Sequence, residues 1–543
     1  MRKVLVLATA SFLMTSCVID KRELVSDVDQ YNKEFVSVFG ETDPNHTWCM
    51  VENKKVEVNL NKPSQVKVYV KAGQNYHLAA DYENVSGKQQ LSFDAPMGCE
   101  DVYVTVDGVP YQSEGSRTAI NTENWKGVMS VGEDYREYTY AQIKGFKNDK
   151  ETLPERVDNT KKVRMDYIAE AESDKTYTFY PLFWNAHFSH TFGLYYYVNG
   201  VKYELDFYKD KEGDCLQYYN SQSTSDNKWE NVTDNYVFQT IFNQQFDDED
   251  VVLRSKPYTI KFPEGTSQFG FYVNVYESKE GEGLVHRAKY YSNPALNEDK
   301  YKMSSFAYLV RDGNTYITIE DHNNDDFDYN DFIFVMEGTQ SHIEETPLEY
   351  IYAVEDLGGS DDFDFNDVVF SVSHVSGQPH ANVKLLAAGG TLPAYIYFGN
   401  TMCGGKEVHE MFGVDTKVMV NTKDGTTKEN MKPGKNFVVS VPANWSHVPY
   451  RIDNSINPSV ESVLDEIYFS VKVMKDGTAY EVTRRRPGTD AAPQILVLTP
   501  EWLWPTERTR INTAYPGFGE WGANYTNKTW VENVQGPVVN WLE

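Results

Sequence analysis

The chain has 543 residues and a formal net charge of −29, with hydrophobic residues at 40% and aromatic residues at 14%. That length suggests about two to four domains, and that apolar fraction excludes wholesale disorder. The negative charge argues against a nucleic-acid partner, because it would repel phosphate.

At the N-terminus, Met1-Arg2-Lys3 precedes the apolar run Val4 to Met14 and then Thr15-Ser16-Cys17. A basic start with about 11 apolar residues is a signal-peptide pattern, too short to span a bilayer. The segment Leu13-Met14-Thr15-Ser16-Cys17 resembles a bacterial lipobox. That resemblance implies cleavage before Cys17 and acylation of its thiol; an ordinary secretory signal cut nearby is the alternative. The expected location is the cell envelope, as an outer-membrane lipoprotein on either the surface or the periplasmic face. No later stretch approaches 18 uninterrupted apolar residues, so the lipid on Cys17 is the expected membrane attachment. A helix is expected over residues 23–39, with Val28, Tyr31, Phe35 and Phe39 at three- and four-residue spacing.

Beyond that helix the chain reads as mainly β. Short β-branched or aromatic segments recur at 66–70, 102–106, 269–276, 316–319, 395–398 and 467–473, bounded by Gly, Asn, Asp or Pro. The pattern predicts tandem β-sandwich or jelly-roll-like domains with few short helices. Expected segments are a signal peptide (1–16), a tether with an N-terminal motif (17–55), a small β domain (56–130) and a β-sandwich (131–300). An acidic-hairpin region packed with that sandwich (301–376) and a C-terminal β domain (377–543) complete the chain. The stretch Ser371 to Val383 reads as a linker, and 143–160 and 208–235 as surface excursions. Apart from Cys17 the cysteines are Cys49, Cys99, Cys215 and Cys403. Three complete pairings are open to them, and buried free thiols or one incidental disulfide is the simpler reading.

One duplication stands out. Its first copy is Glu320-Asp321-His322-Asn323-Asn324-Asp325-Asp326-Phe327-Asp328-Tyr329-Asn330-Asp331, and its second is Glu355-Asp356-Leu357-Gly358-Gly359-Ser360-Asp361-Asp362-Phe363-Asp364-Phe365-Asn366-Asp367. Each lies between apolar strand segments, so each is expected to be a hairpin with an acidic tip. Six acids crowd each tip, and like charges at that density destabilise a loop unless a cation neutralises them. Asp326, Asp328 and Asn330 match the first three positions of a D-x-D-x-[DN] calcium loop, as do Asp362, Asp364 and Asn366. Glu320, Asp321, Asp331, Glu355, Asp356 and Asp367 offer further oxygens. An all-oxygen set favours Ca²⁺ over zinc. Neither copy is an EF-hand: Asp331 and Asp367 replace its glycine, and a strand follows where a helix should stand. Two solvated acidic turns that bind nothing are the alternative.

These motifs resemble the E-D-x-x-G-x-x-D-[FY]-N-D signature of exported bacterial proteins, and over about residues 30–50 and 260–525 the chain resembles the LruC-domain lipoproteins of Bacteroidetes-type bacteria, with 55–260 matching only loosely. Segments 39–48, 407–413, 502–508 and 514–521 are similar to stretches that such lipoproteins carry. The resemblance implies an exported, β-rich protein and assigns no activity.

Enzyme signatures are missing: there is no H-E-x-x-H, G-x-S-x-G, P-loop or Rossmann fingerprint. A glycosidase carboxylate pair leaves no local signature and stays open as a minor alternative. The leading expectation is a calcium-stabilised envelope lipoprotein, not an enzyme, acting as a surface adhesion, matrix or structural module. The runner-up is a glycan-binding accessory lipoprotein, with Trp502, Trp504, Trp521, Trp530 and Trp541 as the aromatic faces; burial of these rings in a core is the simpler reading. A protein ligand at the surface is the other expected partner. Arg484-Arg485-Arg486 reads as a solvated hairpin or a contact for an anionic partner.

Overall fold

The structure, a computed structural model, describes residues 21–111, 128–131, 136–139, 166–169, 176–184, 189–206, 252–255, 257–263, 265–279, 281–297, 306–320, 332–338, 340–356, 362–448, 468–484, 488 and 492–542. It is mainly β, with several sheets and few short helices, and has a sandwich-like architecture.

The expected N-terminal helix is present at Lys21–Phe39. Tyr31 and Phe35, one turn apart, are its buried face, while Val28 and Val36 are exposed. Gly40 ends it at φ +83°, donating its N–H to the Val36 carbonyl at 2.8 Å. Only glycine adopts that left-handed backbone without strain.

A long hairpin follows, Val51–Ala72 paired with Asn75–Pro96, and Val102–Val106 adds to its outer side. This hairpin belongs to a ten-stranded sheet that also contains Ser189–Val198 and Thr266–Lys279. Segments 56–130 and 131–300, read from the sequence as separate domains, therefore share one sheet. A six-stranded sheet, with Asn314–Ile319 and Phe332–Met336 side by side, packs against this region through rings. Phe179, Phe192, Phe269, Phe271, Phe332 and Phe334 form its centre.

The second sandwich is built from a five-stranded and a four-stranded sheet. Its first core is largely aliphatic, with Val354, Val372, Leu385, Ile396, Val471 and Val497. The opposite face of the five-stranded sheet is buried too, under Trp48, Phe363, Phe365, Trp502, Trp504, Trp521 and Trp530. That double burial explains why Tyr350–Val354, Val368–His374 and Ile495–Leu498 are buried without alternation.

Two expectations change here. The second acidic hairpin lies in the second sandwich, paired with Ile495–Leu498 and His380–Ala387, and not with the preceding one. The expected linker Ser371 to Val383 instead spans two paired strands and their turn, because Val372 and Val383 are core residues facing each other in register.

Candidate metal centre

Both copies of the repeat rise from antiparallel hairpins. Asn314–Ile319 pairs with Phe332–Met336, with Ile319 opposite Phe332, and Tyr350–Val354 pairs with Val368–His374, with Val354 opposite Val368. In each copy the glutamate follows the last residue of a buried strand, and both Glu320 and Glu355 are themselves buried. Asp321, Asp326, Asp328, Asn330 and Asp331 lie outside the described residues. The second copy is described at every candidate position.

Its tip is folded by alternation. Phe363 and Phe365 take the left-handed region at φ 51° and 55°, and both rings are buried. Such a conformation costs an aromatic residue about 1–3 kcal/mol each and persists only where its surroundings impose it. Here the Glu355 carboxylate does so: Oε1 accepts from Phe363 N–H at 3.2 Å and Oε2 from Phe365 N–H at 2.9 Å. Two alternate N–H groups, on either side of Asp364, thus converge on one carboxylate. The Phe363 ring packs against Tyr31, Phe35 and Phe39 of the N-terminal helix, with centroids 5.2–5.6 Å apart.

Asp364 Oδ1 accepts from Asn366 N–H at 3.2 Å, and Oδ2 accepts from Arg508 N–H at 2.8 Å. Asn366 Nδ2 donates to the Pro505 carbonyl at 2.9 Å, which leaves its Oδ1 buried without a hydrogen-bond partner. Asp367 Oδ2 accepts from Asp356 N–H at 2.6 Å and so closes the base of the loop. Gly389 and Gly390 lie against this base. A Cβ on Gly389 would meet Asn366 Oδ1 at 2.3 Å, and one on Gly390 would meet Asp356 Oδ2 at 2.9 Å.

Glu355, Asp362 and Asp364 each present an oxygen within 4.8 Å of the other two. Glu355 and Asp364 are each 2% exposed. Burial pushes the carboxyls of Glu355, Asp364 and Asp367 well above the usual range, and their mutual repulsion adds to it. Asp362 is also raised by burial, although the guanidinium groups of Arg508 and Arg510 pull it down. Glu507, next in space, is raised by burial and by Asp362. Holding these groups ionised requires a counter-charge, and the three converging carboxylates could hold a metal ion. Oxygen-only donors fit a hard cation rather than a thiophilic one.

The structure thus brings Glu355, Asp362 and Asp364 together. Asp367 is turned toward the backbone of Asp356, and the amide nitrogen of Asn366 is engaged with Pro505. Gly389, Gly390 and Arg508 are neighbours that sequence reasoning missed, since nothing local to 355–367 points to them.

The remaining candidates are structural. Trp502, Trp504, Trp521 and Trp530 are buried and Trp541 is half-buried, as the simpler reading expected. Glu407 caps the short helix Val408–Phe412 and holds His409 Nδ1 at 2.7 Å. Cys49, Cys99 and Cys403 are free thiols, and Cys215 lies outside the described residues. Among the described residues no helix is long and apolar enough to cross a membrane. Cys17 falls outside the described residues. No protein-family model matches the chain, and no curated protein gives a significant match.

Proposed function

We propose that Glu355, Asp362 and Asp364 bind Ca²⁺, and that the protein is a calcium-stabilised envelope lipoprotein of the LruC-domain kind. On this reading it serves as a surface adhesion, matrix or structural module. The observation that carries the proposal is the meeting of three carboxylates, two of them almost fully buried, at one loop tip. Buried carboxylates held this close either take up protons or share a cation, and at neutral pH a divalent ion is the stronger partner. The larger, more flexible coordination sphere of Ca²⁺ suits a loop that has already committed several oxygens to backbone N–H groups. The chemistry on offer is binding and rigidification.

Glycan binding through the late tryptophans loses its support, because four of the five rings lie inside the core. The lipid on Cys17 belongs to the same proposal and rests on the lipobox-like segment. Titration calorimetry on the soluble chain starting after Cys17 tests the metal. Calcium is expected to bind with an affinity that Asp362→Ala with Asp364→Ala abolishes, and magnesium to bind more weakly. Absence of heat with either ion, together with an unchanged melt in EDTA, would overturn it. A palmitate-analogue label on the wild type that Cys17→Ser loses tests the anchor.

A further inference from the structure

We infer that the second sandwich contains a buried site for a small monovalent anion, formed by Arg484, His447 and Tyr350. Arg484 was legible in the sequence only as the first of three arginines in a solvated turn. In the structure it is 4% exposed. Its Nη1 donates to the His447 carbonyl, while Nε and Nη2 are buried without a hydrogen-bond partner. A guanidinium taken out of water with two of its nitrogens idle is costly, so a group that accepts from it is called for.

The neighbours supply more donors. His447 is 1% exposed, and its Nδ1 lies 3.2 Å from the Tyr352 hydroxyl. Burial, followed by the charges of His374 and Arg484, holds His447 well below its usual range, hence neutral. With the Tyr352 hydroxyl donating to Nδ1, the single ring proton sits on Nε2, which is buried and has no hydrogen-bond partner. Tyr350, 3% exposed, also has an unpartnered hydroxyl, and its ring centroid is 4.7 Å from that of His447.

Two acceptors lie in the cluster: the buried Cys49 sulfur, a weak one, is beside the Arg484 guanidinium, and the Asp94 carboxylate is already engaged. Asp94, on the long hairpin, accepts from Asn53 Nδ2 at 2.8 Å, Ser446 Oγ at 2.6 Å and His447 N–H at 2.7 Å. It makes no ion pair with Arg484 among the described residues and acts on it only at longer range, across the His447 peptide. The idle groups are therefore N–H donors and one hydroxyl, and the occupant must be an acceptor. A water molecule would bring two O–H groups needing acceptors of their own. A divalent oxyanion would set two charges against one guanidinium, with Asp94 close by. A monovalent anion, of which chloride is the simplest, fits the donor surplus and the charge.

The test uses the full soluble chain with Ca²⁺ held constant. Melting is followed in sodium chloride and in sodium gluconate at equal ionic strength. Chloride at 0.1 M is expected to raise the wild-type Tm by about 3 °C. Arg484→Met keeps an apolar side chain of similar length without the charge. It is expected to lose that dependence while melting no lower than the wild type in gluconate. An equal response in Arg484→Met, or none in the wild type, overturns the proposal. Bromide-soaked crystals decide the case in which that variant fails to fold. An anomalous peak beside Nε and Nη2 supports the site, and its absence there overturns it.

Discussion

The two acidic hairpins begin alike and end in different surroundings. In both, a strand buried along most of its length delivers a buried glutamate into an acidic loop, and a fully buried strand leads out. The first hairpin joins a sheet that meets the aromatic core, with Phe332 stacked on Phe192 at 4.2 Å. The second sits in a sheet covered on both faces, and distant chain grips its loop from outside: Pro505 and Arg508 hold Asn366 and Asp364, and Ile511 N–H reaches the Phe363 carbonyl at 2.9 Å. The repeated unit accounts for strand, glutamate and acidic tip. Within the repeat, Glu355 holds the Phe363 and Phe365 N–H groups of the second tip, and the N-terminal helix and the C-terminal segment, both outside the repeat, grip it from outside.

The largest effect is expected where that outer grip meets the loop. Phe363→Ala removes a buried ring that contacts three rings of the N-terminal helix, and should cost about 3–5 kcal/mol in a denaturant titration. Hydrogen exchange should show residues 28–39 losing protection in the same variant. The matching change in the first copy, Phe327→Ala, sharpens the comparison. An equal cost would mean that the first loop has an aromatic layer of its own.

Next in size is the metal. At a free Ca²⁺ concentration 100 times Kd, one site adds about 2.7 kcal/mol, or about 5–10 °C in a unit of 150–250 residues. Asp362→Ala with Asp364→Ala should remove that increment in scanning calorimetry, and Asp326→Ala with Asp328→Ala should remove a second one. A calcium response lost only with the 362/364 pair would break the equivalence of the copies and assign the site to the outer grip. No response in the wild type would leave both loops as acidic turns.

Much of this was legible because it is local. The helix at Lys21–Phe39, the strands around Val66, Val102, Phe271 and Tyr397, and the strand–acid–strand unit all follow from period and turn residues. What was not legible depends on long-range pairing. Val372 opposite Val383 looked like a linker because Gly377-Gln378-Pro379 signals a break, and a tight turn gives the same signal as an interdomain one. Glu355 stood out as acidic, but its hold on two left-handed phenylalanines did not, since buried Phe at positive φ defies local preference. Gly389 and Gly390 carry no motif; they matter because a neighbouring loop leaves no room for a Cβ.

A smaller effect is expected from pH. Glu355, Asp364 and Asp367 have folded-state values raised above their unfolded ones, so the folded chain binds more protons between the two. In EDTA their contribution to stability should therefore grow as pH falls from 7 toward about 4, at no more than about 1.4 kcal/mol per group per pH unit. His447 and His374 work the other way. Burial lowers them, so stability is lost as pH falls below about 6.5 and the unfolded chain takes up protons. Comparing wild type with Asp362→Ala/Asp364→Ala cancels the histidine part. The acid-side gain should be weaker in the variant, and with saturating Ca²⁺ the wild-type trend should reverse as protons displace the ion.

The smallest effect separates a ligand from a bystander. Glu507 belongs to the C-terminal segment, accepts from the Thr422 hydroxyl at 3.4 Å and feels the charge of Asp362. Glu507→Gln keeps an acceptor for Thr422 and removes one negative charge. If Glu507 acts only through its field, the loss is that of one partly screened charge, about 0.5–1 kcal/mol, or two- to fivefold in Kd for Ca²⁺. The apo protein should then become slightly more stable, because one repulsive neighbour has gone. A loss of tenfold or more would instead make Glu507 a direct donor. The second site would then be completed by a residue outside the duplicated unit, and the two hairpins would differ in chemistry as well as in packing.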